Sequence, residues 1–291
     1  MWFYWLALWL VMSTLMVGTL FSDLLRALLV HGKVRSATTM RTGLLSTLQR
    51  IEMRKSGWIW FYLSGAIYNL GIAVALVAFP SHPLVQSCLR ALQSHVAEPS
   101  SSKQLIVVRP EAALVIGLLG IQDTRRFLES ILITEFGDAM MHIALLVAGL
   151  IHYLGIAPSV LSDPSTTAPV FVWTTRFSLQ LALGLLVFLY GSYHQYLCNR
   201  LLAKQKRENG YRHVIPHGDW FDYVRCPLYT SEIVIYLGFV IISGGTHTMI
   251  NVVFLWVVLN QSICALYGSQ WYDLKFKGEK LVKWVLVPGL W

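Results

Sequence analysis

The chain has 291 residues, of which 55% are hydrophobic and 13% are charged, and its formal net charge is +8. A soluble domain carries about 25% charged residues, so this composition excludes an ordinary soluble protein and indicates several membrane spans. Excess Lys and Arg in such a protein mark cytoplasmic loops and contact anionic lipid headgroups, so the charge predicts a bilayer partner and no nucleic acid.

The first predicted element is an apolar helix over residues 2–30, which opens with the stretch WFYWLALWLVMSTLMVGTLF. A secretory signal peptide has a positively charged start and a cleavage site of small residues. This segment has neither feature and is longer than a signal peptide. We therefore expect it to be retained as a membrane helix.

Further apolar segments follow along the chain, and a helix needs about 20 such residues to cross a bilayer. The third, fourth and sixth of the seven segments are short or interrupted, and a tight turn at 243–246 separates the last two. The sequence shows no internal repeat, so we predict one all-α integral membrane domain, residues 1–291, with about seven transmembrane helices. The six later segments are 57–79, 111–128, 139–156, 169–193, 231–245 and 247–268.

Three basic stretches fall on one side of this arrangement, at 31–56, at 194–230 and after residue 268. The loops on the opposite side are nearly neutral. The positive-inside rule then predicts a lumenal N-terminus and a cytosolic C-terminus. The loop at 122–138 is cytosolic by position but contains four acids and two Arg, so another cause must explain its composition.

Soluble nucleotide-binding motifs and the H-E-x-x-H zinc motif are absent from the sequence. The four cysteines have no zinc-type spacing, so we predict no metal site. A membrane enzyme with this sequence would therefore build its site from helix ends and loops.

The first polar group lies at the end of the third segment. Gln122, Arg125, Arg126 and Glu129 share one helix face by their spacing of three and four residues. Either an intrahelical ion pair that contacts lipid headgroups or a functional cluster would produce this pattern.

The second polar group ends the fifth segment, at 194–199, and is followed by the basic stretch AKQKREN. Lys and Arg side chains are suited to binding phosphates. The alternative is an interfacial helix whose long basic side chains reach out to water.

The third polar group is the run HVIPHGDWFDYVRCPLYTSE at 213–232, which separates two apolar segments. Glu232 is its most informative residue, since it lies just inside an apolar helix and an ionisable residue at membrane depth is a functional candidate. The alternative is a carboxylate placed at a helix N-terminus, where the helix dipole favours negative charge.

The run at 213–232 closely resembles the C-terminal signature of the steroid 5α-reductase family. Within it, the motif Gly218-Asp219-Trp220-Phe221 resembles the polyprenol reductase branch of that family. Other stretches resemble that branch in the same order along most of the chain. These are His31-Gly32-Lys33, Lys55-Ser56-x-Trp58, Arg125-Arg126-x-x-Glu129, His194-Gln195-Tyr196-x-Cys198 and Trp271-Tyr272-x-x-Lys275-Phe276.

The resemblance implies a seven-helix membrane reductase of the endoplasmic reticulum, whose cytosolic helix ends enclose NADPH. It implies reduction of the α-isoprene double bond of polyprenol or polyprenal in dolichol synthesis, which supports protein N-glycosylation. The aldehyde is the chemically more reasonable substrate, because conjugation to a carbonyl makes the far carbon electrophilic. Most of the motifs for the cofactor site fall within 194–291.

The resemblance also implies site residues. It predicts cofactor contacts for one set of side chains, namely Arg125, Gln195, Asn199, Lys206, His213, Asp219, Tyr229, Glu232 and Tyr272. Lys206 stands where a phosphate-binding Arg is expected. The donor that polarises the substrate carbonyl has no clear match, and the candidates are Tyr62 and Trp58 on the second segment and Gln122.

The sequence departs from the family pattern at several places, which puts single contacts in question. Leu228 replaces an Asn or His, Asn199 replaces a His, and Gly278-Glu279-Lys280 replaces a basic tail motif. The alternative functions are a membrane methyltransferase like those that act on isoprenylcysteine, a 3-oxo-5α-steroid 4-dehydrogenase that acts on steroids, and a membrane scaffold or transporter.

Overall fold

The computed structural model describes residues 1–29, 51–93, 105–168 and 177–291, and most of these residues are helical. The motif at 31–33 and most of the basic loop at 31–56 lie outside the described residues. The helices are α1 Trp2–Gly18, α2 Asp23–Leu29, α3 Trp58–Ala78, α4 Pro83–Leu92, α5 Pro110–Leu132, α6 Ile143–Ser162, α7 Phe177–Glu208, α8 Pro227–Ile242 and α9 Thr248–Lys275.

Two short antiparallel ladders tie the connecting loops together. Strand β1 Glu52–Arg54 pairs with β3 Met140–His142, and β2 Val107–Val108 pairs with β4 Thr167–Ala168. The first ladder precedes both α3 and α6, so these helices start at the same end of the bundle. The second ladder joins the start of α5 to the end of α6, so α5 runs in the opposite direction.

Four helical segments are long and apolar enough to cross a membrane, and the bent pair α1–α2 would make a fifth. They are Lys55–Ala78, Ile143–Ser162, Leu179–Glu208 and Thr248–Lys275. The expectation of an all-α protein with several membrane helices is confirmed at this level. Helix α8, with 16 residues, is about 24 Å long, which is short for a hydrocarbon core of about 30 Å. The count of seven spans and the lumenal N-terminus stay predictions.

The segment predicted as one apolar helix over 2–30 is two helices joined by a bend. Helix α1 ends at Gly18, and α2 leaves it at an angle of 116°. Side chains satisfy the carbonyl group of Thr19 at the bend: Tyr267 Oη donates to it at 2.7 Å and Arg26 Nε at 3.2 Å. These bonds replace the helical hydrogen bonds that an uninterrupted turn would have made.

Helices α7 and α8 pack closely because glycines face each other across their interface. A Cβ atom on Gly238 would lie 2.9 Å from the backbone nitrogen of Phe188, and one on Gly184 would lie 2.8 Å from that of Ile242. Small residues let helix backbones approach in this way. The close packing places the polar end of α7 beside the start of α8.

Candidate active site

A cavity of about 450 Å³ lies among α1, α3, α6, α8 and α9, with contributions from α5 and α7. One part of its wall is polar, with Arg126, Gln195 and Glu232 facing the space. Much of the remaining wall is apolar or aromatic. A mostly apolar pocket with a few convergent polar groups is the usual form of a small-molecule site.

The polar part is organised around Glu129, whose side chain is buried on α5. Its two carboxylate oxygens accept hydrogen bonds from different arginines: Oε1 from Arg125 and Oε2 from Arg126 at 2.5 Å. Asn199 Nδ2 on α7 also donates to Oε2, at 3.1 Å. Buried charges are tolerated when they are paired and hydrogen-bonded in this way.

Gln195 connects this cluster to α8. Its Nε2 donates to Glu232 Oε2 at 2.5 Å. Its Oε1 accepts from Gln122 Nε2 at 2.8 Å and from the guanidinium of Arg125. Gln122 Oε1 in turn accepts from Arg125 Nη2 at 2.8 Å. The hydrogen bonds thus link α5, α7 and α8, and the two arginines balance the charges of the two glutamates.

Tyr62 lies on the cavity wall beside the arginines. The guanidinium carbon of Arg126 is 5.3 Å from the centroid of its ring, a cation–π arrangement. Phe61 and Tyr153 pack against the same ring, with centroid distances of 4.6 Å and 5.3 Å. Packing on two sides fixes the orientation of Tyr62.

Several further predicted site residues lie on the cavity wall. Trp58 lines it from α3, Tyr229 from α8 and Tyr272 from α9. Tyr272 is held by stacking on Phe276, at a centroid distance of 5.8 Å. Flat aromatic walls of this kind suit a planar ring system.

Asp219 lies apart from the cavity wall. Its carboxylate accepts from His194 Nδ1 at 2.8 Å and from Cys198 Sγ at 3.3 Å, and the His194 ring stacks on Trp220 at 4.6 Å. These contacts fasten the short 3₁₀ helix Asp219–Asp222 to α7. The structure therefore gives Asp219 a supporting position.

Two other predicted contacts also lie away from the cavity wall. His213 is exposed and meets Trp271 edge-on, with ring centroids 4.9 Å apart. Lys206 Nζ donates to the carbonyl oxygen of Glu135 at 2.6 Å. The cofactor contacts predicted for Asp219, His213 and Lys206 therefore stay predictions, and the cavity wall does not support them.

Sequence reasoning did not propose some residues that the structure places in the site. Glu129 was named within a helix face and the motif Arg125-Arg126-x-x-Glu129 but was not predicted as a site residue, although its spacing from the two arginines was a signal for its central position. Lys55 was placed in a basic loop and in the motif Lys55-Ser56-x-Trp58 without a predicted site role, yet it lines the cavity. His152 also lines the cavity and accepts a hydrogen bond from Trp256 Nε1 at 3.1 Å, and no motif marks it.

Comparison with known proteins agrees with the resemblance seen in the sequence. Residues 166–291 match the model of the 3-oxo-5-alpha-steroid 4-dehydrogenase family. The chain is 26% identical to a polyprenal reductase of Xenopus laevis over 284 residues, which cover 93% of this chain and 85% of that protein. It is 26% identical to the polyprenal reductase of Homo sapiens over 276 residues, which cover 88% and 81%. The expected resemblance is thereby confirmed: residues 166–291 match this family's model, and the chain is similar over most of its length to polyprenal reductases.

Proposed function

We propose that this protein is an NADPH-dependent reductase of the endoplasmic reticulum membrane, which saturates the α-isoprene double bond of polyprenal on the way to dolichol. The observation that carries the proposal is the polar cluster of Arg126, Gln195 and Glu232 at a cavity whose other walls are mostly apolar or aromatic. A lipid with a polar head and an apolar tail is complementary to such a cavity. The names of the relatives support the same substrate class.

The cavity residues fit a nicotinamide cofactor. Gln195 and Glu232 offer an amide and a carboxylate to the carboxamide of the ring, and Tyr229 and Tyr272 offer flat walls. Arg125 does not line the cavity itself; it contributes through its hydrogen bonds to Gln122, Gln195 and Glu129. A reduced nicotinamide, when bound, supplies the hydride.

Tyr62 is suited to act on the substrate carbonyl. Its hydroxyl group donates a hydrogen bond to the aldehyde oxygen, which draws electrons out of the conjugated double bond. The carbon of that bond farther from the aldehyde then becomes electron-poor and open to hydride addition. The positive charge of Arg126 at the Tyr62 ring stabilises the negative charge that grows on the oxygen.

The apolar wall is suited to the isoprenoid part of the substrate. Met12 and Met16 of α1 and Trp256 and Val257 of α9 line the cavity. Methionine side chains are unbranched and adapt to irregular apolar shapes. Burial of the first isoprene unit here excludes water from the double bond and strengthens the hydrogen bond to the carbonyl.

The test is an assay of the purified protein in detergent with NADPH and a short-chain polyprenal, following oxidation of the cofactor and formation of the saturated aldehyde. Wild-type protein should turn over, and Glu232→Gln should reduce the rate at least about tenfold, because the bond from Gln195 would lose its charged acceptor. Glu208→Gln is the matched control, since Glu208 is exposed and, among the residues that the structure describes, pairs with Lys204 alone.

The same assay with polyprenol and with a 3-keto-4-ene steroid tests the neighbouring substrates. Turnover of the steroid alone would replace the lipid assignment with a steroid one. Failure of the wild-type protein on every substrate, together with binding of S-adenosylmethionine instead of NADPH, would support the methyltransferase alternative.

A further inference from the structure

The cavity wall carries one cation that the described residues do not neutralise. Arg126 is paired with Glu129 at 2.5 Å, and Arg225 is paired with Asp273 at 2.8 Å. Lys55 also lines the cavity. In the part of the chain that the structure describes, no carboxylate oxygen lies within ion-pairing distance of its Nζ.

The described neighbours of Lys55 do not cancel its positive charge. Its Nζ lies 4.2 Å from the centroid of the Trp58 ring, a contact that favours the ammonium form but does not cancel its charge. The electrostatic neighbour with a full charge is Lys206, which repels it. The segment 30–50, which precedes this region and lies outside the described residues, contains no Asp or Glu.

The position of Lys55 relates it to the polar cluster. Lys55 precedes α3 directly, while Tyr62 lies on α3 seven residues later. At 1.5 Å per residue, the two positions are about 10 Å apart along the helix axis. If the reactive end of a ligand lies at Tyr62 and Glu232, the part of that ligand about two helical turns from the reactive end lies at Lys55.

We propose that Lys55 binds a phosphate group of the dinucleotide cofactor, and that this residue, rather than Lys206, supplies the cavity's cation for it. A phosphate would neutralise the unpaired ammonium group and relieve its repulsion by Lys206. Arg225 is committed elsewhere, because its Nε donates to the carbonyl oxygen of Val282 at 2.5 Å and its Nη1 to Ser269 and Asp273. This inference rests on the proposed function, since it assumes that the cavity receives NADPH.

The test measures binding of NADPH and of NADH to purified protein without substrate, by the quenching of tryptophan fluorescence. Lys55→Met keeps a long side chain and removes the charge, and we expect it to weaken NADPH binding about tenfold or more. Lys55→Arg should bind within about threefold of wild type, because the charge remains. Lys204→Met is the matched control: Lys204 is an exposed lysine that pairs with Glu208 outside the cavity, and its removal should leave binding unchanged.

The comparison of the two cofactors identifies the phosphate. A loss confined to NADPH assigns the 2′-phosphate, and an equal loss for both cofactors assigns the pyrophosphate. In either case the salt dependence of binding should become weaker in Lys55→Met, because one charge contact is gone. A role in folding alone would lower the thermal stability of Lys55→Met and of Lys55→Arg and would leave the salt dependence as it is.

Unchanged NADPH and NADH binding by Lys55→Met would overturn the inference. Equal weakness of Lys55→Arg and Lys55→Met, with lowered thermal stability in both, would overturn it as well. Failure of the wild-type protein to bind either cofactor would instead refute the proposed function, so the two failures are distinguishable.

Discussion

At the scale of single residues, Gln195 shows how the site depends on one amide. A glutamate at this position would place a second carboxylate against Glu232, and a lysine would repel Arg125. A neutral amide can donate to Glu232 and accept from Gln122 and Arg125 at the same time. Glutamine is therefore suited to this position between the carboxylate of Glu232 and the guanidinium of Arg125.

Replacement of Tyr62 by Phe tests the assignment of the carbonyl donor. We expect kcat with polyprenal to fall about 100-fold, since a hydrogen bond to the developing oxyanion is lost, while NADPH binding stays within about twofold of wild type. Tyr68→Phe is the matched control, because Tyr68 is on the same helix but is exposed and lies off the cavity wall. A Tyr62→Phe protein with full activity would show that another group polarises the carbonyl.

Motif resemblance predicted Arg125, Gln195 and Glu232 as cofactor contacts, and the structure places the three side chains in one hydrogen-bond network. Their role toward a cofactor stays a prediction. The same reasoning could not locate Asp219 or Lys206. The side chain of Asp219 depends on a backbone with φ of +47° at the start of a short turn, and no periodic pattern encodes that geometry. Lys55 was recognised only within the motif Lys55-Ser56-x-Trp58 and a basic loop, and no site role was predicted for it. Its position is set by the ladder between β1 and β3.

At the scale of elements, the pair α7–α8 holds the site together. Gln195 on α7 and Glu232 on α8 can form their hydrogen bond because the glycines at 184, 191 and 238 let the backbones approach. A similar contact joins α3 to α5, where a Cβ atom on Gly120 would lie 2.8 Å from the backbone nitrogen of Leu70. Tight helix pairs thus position both Tyr62 and the arginines.

Gly238→Ala should therefore separate α7 from α8. Its Cβ would meet backbone atoms of Gly184 and Phe188 at 2.9 Å, and we expect a loss of about 1–3 kcal/mol in stability. Thermal unfolding in detergent measures the effect, and turnover should fall with it. Gly71→Ala is the matched control within a helix, because a Cβ there meets nothing within 4 Å. We expect it to raise stability slightly, since Gly is unfavourable inside a helix.

Hydropathy predicted the existence of these helices better than their ends. The fifth predicted segment ends at 193, whereas α7 continues to Glu208. The helix persists because backbone hydrogen bonds do not require apolar side chains, while a span prediction stops at the first charges. The short ladders were missed for a related reason, because strands of two or three residues show no alternation to detect.

At the scale of the whole molecule, both halves of the chain contribute residues to the wall of one cavity. Gln195, Tyr229 and Glu232 fall within the family match at 166–291, while Met12 and Tyr62 come from the chain before it. The bond from Tyr267 to the carbonyl group of Thr19 also joins the two halves. The single domain over 1–291 stays a prediction.

The distribution of charge predicts the orientation in the membrane. An N-glycosylation acceptor fused before Met1 should be modified, and one fused after Trp291 should not, because the basic stretches favour the cytosol. Expression in microsomes with and without glycosidase measures both. Modification of the C-terminal acceptor alone would show that the topology is the opposite of the predicted one. The proposed cofactor site would then face the lumen, away from cytosolic NADPH.

The size of the cavity has a consequence for the lipids that the cell accumulates. The cavity measures about 450 Å³. Under the proposed function it receives a nicotinamide together with the head and the first isoprene units of a polyprenal, while the rest of the isoprenoid chain stays in the bilayer. An enzyme that touches only the head treats short and long tails alike. Under the proposed function, the earlier reaction that elongates the chain therefore sets the length distribution of the dolichol pool. The reductase leaves that distribution unchanged.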